Sequence, residues 1–113
     1  MEQRYANRIS YQVVDVYGEV DNLPDDGLVS RVISGLVDEL GMRRVGSLKV
    51  TNTSRSKTYI QVIRESHIAA IFTSNCFAVI SICSCRYFDE SATVSYLKSR
   101  LRLKNSGFFS YKN

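Results

Sequence analysis

The chain has 113 residues, of which 44% are hydrophobic and 23% are charged, a composition typical of an ordinary globular protein. We therefore expect residues 1–113 to form a single domain. No apolar run approaches the roughly 20 residues that a membrane-spanning helix needs. The opening residues, Met1–Tyr5, lead into no apolar segment of the kind found in signal peptides. These features predict a cytoplasmic protein that has no membrane partner.

The net charge of +4 would suit an anionic partner, but the basic residues are scattered along the chain. A solvated basic surface is the favoured interpretation. Nucleic-acid binding is the weaker one, because no RNP-like or helix-turn-helix pattern is present. The residues that such an interface would have to gather are Arg43, Arg44, Lys49, Arg55, Lys57, Lys98, Arg100, Arg102 and Lys104.

The cysteines and the histidine exclude two kinds of site. Cys76, Cys83 and Cys85 are odd in number, which fits a reducing compartment better than a disulfide framework. The only histidine is His67, and no second pair of ligands accompanies Cys83 and Cys85. We therefore predict no metal site.

The first third of the chain predicts a strand and a helix. Residues 9–17 are rich in β-branched and aromatic residues, as strands are. The polar run 22–26 supplies a turn and N-cap oxygens, and apolar residues then recur at helical spacing from Leu28 to Leu40. Gly41 stands where a helix C-cap belongs.

The rest of the chain reads mainly as strands. We predict strands over 45–50, 58–63, 67–72 and 76–83, a polar loop over 51–57, a helix over 89–101 and a short edge strand over 108–111. Two helices cannot cover both faces of such a sheet. The predicted fold is therefore α+β, a two-layer α/β sandwich in which a mostly antiparallel sheet carries two helices packed on one face. Residues 76–83 are apolar on both faces, so this strand should be the most buried, and a second subunit is expected to cover the other face.

The segment Ile63–Ile68, IRESHI, raises the main chemical question. It places Glu65, Ser66 and His67 between two strands, where a hairpin turn usually has Gly, Asn or Asp. A Ser-His-Asp triad is not favoured, because adjacent strand residues point to opposite faces and His67 therefore points away from Ser66. A serine in a tight turn can instead attack the preceding carbonyl, and the resulting ester can eliminate to leave a pyruvoyl group. From these residues alone, a polar surface turn remains the alternative.

The run YIQVIRESHIAAIFTSNCFAVISICSC, residues 59–85, resembles the core of the bacterial and archaeal S-adenosylmethionine decarboxylases. Residues 64–68 lie on the family's S-E-S-H-L, and residues 77–85 lie on its Y-A-x-I-D-x-x-T-C. The resemblance implies a proenzyme that cleaves itself between Glu65 and Ser66 and converts Ser66 into a pyruvoyl cofactor. In that family the pyruvoyl carbonyl forms a Schiff base with the substrate amine and accepts electrons as carbon dioxide leaves.

The resemblance also implies roles for other residues. Cys85 falls on the cysteine that protonates the substrate after decarboxylation, a task that suits a thiol. Asp15 matches an acidic position in the family's first strand and is expected to help hold a cationic substrate. Glu65 and His67 are the other expected substrate contacts, a backbone hydrogen bond being the alternative role of His67. The implied substrate is S-adenosylmethionine, the implied pathway is polyamine synthesis, and the implied assembly is a homodimer.

Residues 68–75 depart from the family's pattern. The family's H-T-W-P-E has no counterpart here, so the second histidine that assists self-processing is absent. Loss of Trp-Pro-Glu makes a basic amino acid, such as arginine or ornithine, an alternative substrate. An uncleaved, non-catalytic relative that serves as the partner or regulator of an active copy is the alternative from another functional class.

Overall fold

The computed structural model describes residues 10–113, so Ile9 of the predicted first strand and the Met1–Tyr5 segment lie outside the described residues. The described part contains six strands and two helices. They are β1 Gln12–Glu19, α1 Asp26–Glu39, β2 Lys49–Asn52, β3 Ser56–Ile63, β4 Ser66–Thr73, β5 Phe77–Ser84, α2 Glu90–Arg100 and β6 Lys104–Lys112.

The strands form one antiparallel sheet in the order β2-β3-β4-β5-β1-β6. The predicted α+β class is confirmed. β1 lies inside the sheet because β6 returns along its free side after α2. β5 occupies a central position, and Phe77 is its one exposed residue, in line with its prediction as the most buried strand.

The ends of α1 follow the local chemistry that the sequence predicts. The Asp25 carboxylate accepts a hydrogen bond from the Leu28 N–H at 2.7 Å, which satisfies a free donor of the first turn. At the other end Gly41 adopts a φ of 65°, and the Met42 N–H donates to the Val37 carbonyl at 3.1 Å. This is the glycine-terminated helix end that Gly41 predicts.

The sheet has one covered and one open face. The covered face contributes alternate strand residues to a single core that also contains the apolar sides of both helices. Its most buried strand residues include Val14, Tyr59, Ile68, Ile80 and Ile82. On the opposite side, which we call the open face, seven large apolar side chains are exposed: Tyr17, Ile60, Val62, Ile71, Phe77, Phe109 and Tyr111.

The outer strands differ from their prediction. β2 covers Lys49–Asn52 rather than 45–50, because Gly46 takes a φ of 73° that interrupts any earlier strand. β6 extends over Lys104–Lys112 rather than 108–111 and pairs with β1. Both are edge strands with largely exposed residues, where polar side chains are tolerated and apolar periodicity gives little signal. Neither described helix is long and apolar enough to cross a membrane.

Candidate active site

The peptide bond between Glu65 and Ser66 lies at the end of a tight hairpin. Ile63 of β3 pairs with Ser66 of β4, so Arg64 and Glu65 alone make the turn. Glu65 has a φ of 63°, in the left-handed region that glycine normally occupies. A residue with a Cβ pays about 1–2 kcal/mol for this conformation. The turn therefore places backbone strain immediately before Ser66.

The Ser66 hydroxyl has a buried partner on the neighbouring strand. Ser66 pairs across the sheet with Ser84, and its Oγ donates to the Ser84 Oγ at 3.0 Å. Ser84 is fully buried. Its own hydroxyl donates to the Arg86 carbonyl at 2.7 Å and accepts from the Arg86 N–H at 2.9 Å. Because the one proton of Ser84 is used on Arg86, the Ser66 hydroxyl must be the donor in the pair.

The Glu65 carbonyl oxygen also has a partner. It accepts a hydrogen bond from the backbone N–H of Cys85 at 3.4 Å. Three residues after Cys85, the Phe88 N–H donates to the Oε1 of buried Gln12 at 2.9 Å. A fixed N–H at this oxygen can stabilise negative charge that develops on it.

The cysteines occupy different surroundings, and all three are free thiols. Cys85 is exposed directly after β5, next to the hairpin whose carbonyl it binds. Cys83 is half-buried on the open face, where its thiol donates to the Tyr11 hydroxyl at 3.4 Å. That hydrogen bond is the main reason why the pKa of Tyr11 is raised. The structure therefore brings the Cys85 backbone next to the carbonyl of the Glu65–Ser66 peptide bond.

Asp15 and His67 lie on the open face. Asp15 pairs with Ser81 across the sheet and accepts a hydrogen bond from the Ser81 hydroxyl at 2.6 Å. Ser81 precedes Ser84 by three strand residues, which corresponds to roughly 10 Å along the strand. His67 is exposed between Val62 and Cys83 and points away from the face on which Ser66 meets Ser84.

Other parts of the described chain offer less. Among residues 10–113 no three His, Cys, Asp or Glu side chains lie together as metal ligands would. One surface cleft, of about 400 Å³, lies between α1 and α2, and another, of about 490 Å³, lies between the loop 20–25 and the end of α2. Neither is lined by a residue of β4 or β5. The hairpin is our candidate site because it combines the positive φ of Glu65 with a Ser66 hydroxyl that has a buried partner.

Comparison with known proteins decides the family. A sequence model described as S-adenosylmethionine decarboxylase matches residues 11–112. The chain belongs to the S-adenosylmethionine decarboxylase family. No curated protein sequence matches it. Among solved structures it is similar to the adenosylmethionine decarboxylase of Aquifex aeolicus, with a TM-score of 0.72, 12% sequence identity, and coverage of 91% of this chain and 88% of that one. At that identity the structural similarity shows a shared fold.

Two groups of the site, the Ser84 hydroxyl and the Cys85 backbone N–H, were not predicted from the sequence. Within this S-adenosylmethionine decarboxylase-family chain, Ser84 resembles an ordinary polar residue at a strand end. The Cys85 backbone N–H carries no sequence signal at all. A correct prediction of the β4–β5 register would have identified Ser84, because this register places Ser66 and Ser84 opposite each other. Ser81, the partner of Asp15, emerges from the same register.

Proposed function

We propose that this chain is a pyruvoyl-dependent decarboxylase that forms its own cofactor by cleavage between Glu65 and Ser66. The observation that carries the proposal is the hydrogen bond from the Cys85 N–H to the Glu65 carbonyl oxygen. It places a charge-stabilising donor on the carbonyl that the adjacent Ser66 hydroxyl must attack. The backbone strain at Glu65 also favours cleavage, because breaking the peptide bond after Glu65 releases that strain.

Self-cleavage requires no external reagent until its last step. The Ser66 Oγ bonds to the Glu65 carbonyl carbon, and negative charge collects on the oxygen that faces the Cys85 N–H. The bond from that carbon to the Ser66 nitrogen then breaks, and the hydroxyl proton ends on the nitrogen, which leaves an ester. Loss of the Ser66 α-proton expels the Glu65 carboxylate, and water then releases ammonia from the remaining Ser66 unit. The products are residues 1–65 and a chain that begins with the pyruvoyl group.

The residues around the bond suit the chemistry that follows. A pyruvoyl group supplies an electron-accepting carbonyl for the loss of carbon dioxide from an amino acid. Cys85, whose thiol is exposed and whose backbone N–H binds the Glu65 carbonyl, is the residue that we propose returns a proton to the substrate carbon. Further from the bond, on the open face, we propose the half-buried Asp15 carboxylate and His67 as contacts for a cationic substrate, together with Glu65 in the turn. S-adenosylmethionine is the proposed substrate, and the decarboxylated product would serve polyamine synthesis in the cytoplasm.

Decarboxylation assays test this assignment. We expect the wild-type chain to release carbon dioxide from S-adenosylmethionine, and arginine and ornithine serve as the alternative substrates. Ser66→Ala should release none. Cys85→Ala retains the backbone N–H, so it should still cleave itself but lose about 100-fold or more in decarboxylation rate. A wild-type chain that is cut but inactive on all three substrates would contradict the decarboxylase proposal.

The open face supports a homodimer. Seven exposed large apolar side chains on one face form an uncommonly apolar surface for a single subunit, and a second copy offers the same surface in return. Ile71→Lys puts a charge within this face and should convert the dimer to a monomer in sedimentation experiments. Leu23→Lys, at an exposed apolar residue outside the open face, is the matched control and should remain dimeric. A monomeric wild-type chain would overturn the dimer.

One observation favours a second candidate function. His67 is the only histidine of the sequence, and its side chain faces away from Ser66. No imidazole is therefore available at the Ser66 side of the strand to assist processing. The second candidate is an uncleaved relative that binds and regulates an active copy, and it predicts an intact chain with no activity of its own.

A further inference from the structure

We infer that Ser84 is the positioning residue of self-cleavage, which holds the Ser66 hydroxyl for its attack on the Glu65 carbonyl. This inference rests on the proposed self-cleavage. It assigns the placement of the nucleophile to a hydroxyl on the neighbouring strand.

The Ser84 hydroxyl is held in place by the Arg86 backbone, independently of its contact with Ser66. Its Oγ both donates to the Arg86 carbonyl and accepts from the Arg86 N–H, so its rotation is locked by two backbone contacts. The remaining acceptor position receives the Ser66 hydroxyl at 3.0 Å. Complete burial of Ser84 keeps water from competing for that position. The Ser66 hydroxyl proton is therefore directed at Ser84, and the lone pairs that must form the new bond are left uncommitted.

Ser84 and Cys85 together hold both reacting groups. Ser84 binds the nucleophilic hydroxyl, and the next backbone N–H, that of Cys85, binds the oxygen of the carbonyl under attack. One short, fixed segment thus sets the geometry between nucleophile and electrophile, a geometry on which reaction rates depend steeply. Among the described residues Ser84 is the side chain that hydrogen-bonds Ser66, and His67 lies on the other face.

The role is orientation rather than deprotonation. A serine hydroxyl is too weak a base to remove the proton of another serine, so Ser84 acts through the position of the Ser66 Oγ. The step that it assists is an isomerisation, in which the carbon–oxygen bond of the ester replaces the carbon–nitrogen bond of the peptide. The hydroxyl proton is transferred to the Ser66 nitrogen, and no co-reactant takes part.

The test measures ester formation directly on the full-length chain. Hydroxylamine cleaves an ester at this position and releases residues 1–65 as a hydroxamate, so intact mass spectrometry counts the chains that have undergone the acyl shift. The rate is followed with and without hydroxylamine for wild type, Ser84→Ala, Ser84→Cys and Ser84→Thr. Thr93→Val is the matched control, because Thr93 is a buried hydroxyl residue of α2 that donates to the backbone carbonyl of the N-cap residue Asp89.

The expected result is a loss of about tenfold in the rate of ester formation for Ser84→Ala, the size of one positioning hydrogen bond. Ser84→Cys fills similar space with a weak acceptor and should be slowed as well, which keeps the test valid if Ser84→Ala does not fold. Ser84→Thr retains the hydroxyl and should stay within about threefold of wild type, and Thr93→Val should be unchanged.

Three results would overturn the inference, and they distinguish loss of the Ser84 role from failure of self-cleavage itself. If wild type forms ester while folded Ser84→Ala or Ser84→Cys forms it equally fast, Ser84 has no positioning role but self-cleavage stands. Equal slowing in Thr93→Val has the same meaning, because general loss of stability would then explain the effect. If wild type yields neither spontaneous nor hydroxylamine-induced fragments, the proposed self-cleavage and this inference fail together.

Discussion

The two turns at the ends of β4 have the same backbone peculiarity. Glu65, before the strand, and Cys76, in the turn after it, both have a φ of 63° although neither is glycine. Each carbonyl accepts a hydrogen bond from a backbone N–H outside its own turn, Glu65 from Cys85 at 3.4 Å and Cys76 from Val20 at 2.9 Å. Strain and a bound carbonyl are thus common to both turns.

The residue that follows the strained position distinguishes them. After Glu65 comes Ser66, whose hydroxyl meets Ser84. After Cys76 comes Phe77, which lies exposed on the open face and stacks against Tyr17 with ring centroids 6.4 Å apart. Only the first turn combines strain with a nucleophile that has a fixed partner. The comparison indicates that strain by itself marks a tight hairpin, and that chemistry needs the second feature.

The largest expected effect is a complete loss of cleavage when the serine is moved from the first turn to the second. In a Ser66→Ala background, Phe77→Ser gives that turn a strained residue, a bound carbonyl and a hydroxyl. We expect no cleavage at either turn, because a hydroxyl at position 77 points to the open face, where the hydroxyl of the neighbouring Thr73 is already bonded to the Asn75 side chain. Mass spectrometry after several days checks this, and a fragment that ends at Cys76 would show that strain and a serine suffice.

Relieving the backbone strain should change the rate of self-cleavage at the first turn and not at the second. Glu65→Gly removes a conformational cost of about 1–2 kcal/mol that cleavage releases, so self-cleavage should slow about tenfold. Cys76→Gly relieves the same φ at the other turn and should leave the cleavage rate unchanged. Time courses of intact mass for the two variants measure this, and equal rates in both would refute a role for strain at Glu65.

The second turn should matter for stability instead. The Thr73 hydroxyl is bonded to the Asn75 side chain and accepts from the Phe77 N–H at 3.2 Å. Thr73→Val removes these bonds and should lower the free energy of unfolding by about 1 kcal/mol, as measured in urea, without changing the cleavage rate. Slowed cleavage in Thr73→Val would show that the two turns are coupled through β4.

The smallest expected effect is on the stability of the fold at acidic pH. The Asp26 carboxylate pairs with the Lys57 ammonium and accepts from the Tyr59 hydroxyl at 2.6 Å, and these contacts lower the pKa of Asp26. Because its pKa is lower in the folded state, the ionised group stabilises the fold at neutral pH, and this contribution is lost as pH falls below about 4. Lys57 pairs with Phe72, so acid should loosen the end of β4 that carries the second turn. Asp26→Asn should therefore show a smaller loss of stability between pH 6 and pH 3 in urea titrations, and an equal loss would contradict this.

The sequence predicted the helices and strands better than it predicted the register between neighbouring strands. Apolar spacing and Gly41 predicted α1 well, because a long amphipathic helix repeats its signal over several turns. The strand predictions 67–72 and 76–83 put the β4–β5 turn at 73–75, one residue too early. In that register Ser66 would face Ile82, whereas the actual turn at 74–76 pairs it with Ser84. A one-residue error in a turn shifts every cross-strand pair by two, and so it hides the partner of the nucleophile.

The site itself was predictable only where sequence pattern carries chemistry. Ser66 and Cys85 could be assigned through the family motifs, and the structure brings their segments together. The contribution of the Cys85 backbone N–H could not, because every residue except proline has such a donor and only the fold gives it a direction. Asp15 and His67 remain predicted substrate contacts on the open face, where a second subunit would have to complete their surroundings.

Intact mass spectrometry of freshly purified protein, beside a Ser66→Ala control, tests the central claim most directly. Self-cleavage predicts two chains, residues 1–65 and a remainder from position 66 that begins with a pyruvoyl group, and an intact Ser66→Ala chain. A single wild-type chain of 12.8 kDa that stays uncut for days and yields no fragments with hydroxylamine would contradict the account. It would instead favour the uncleaved, regulatory relative.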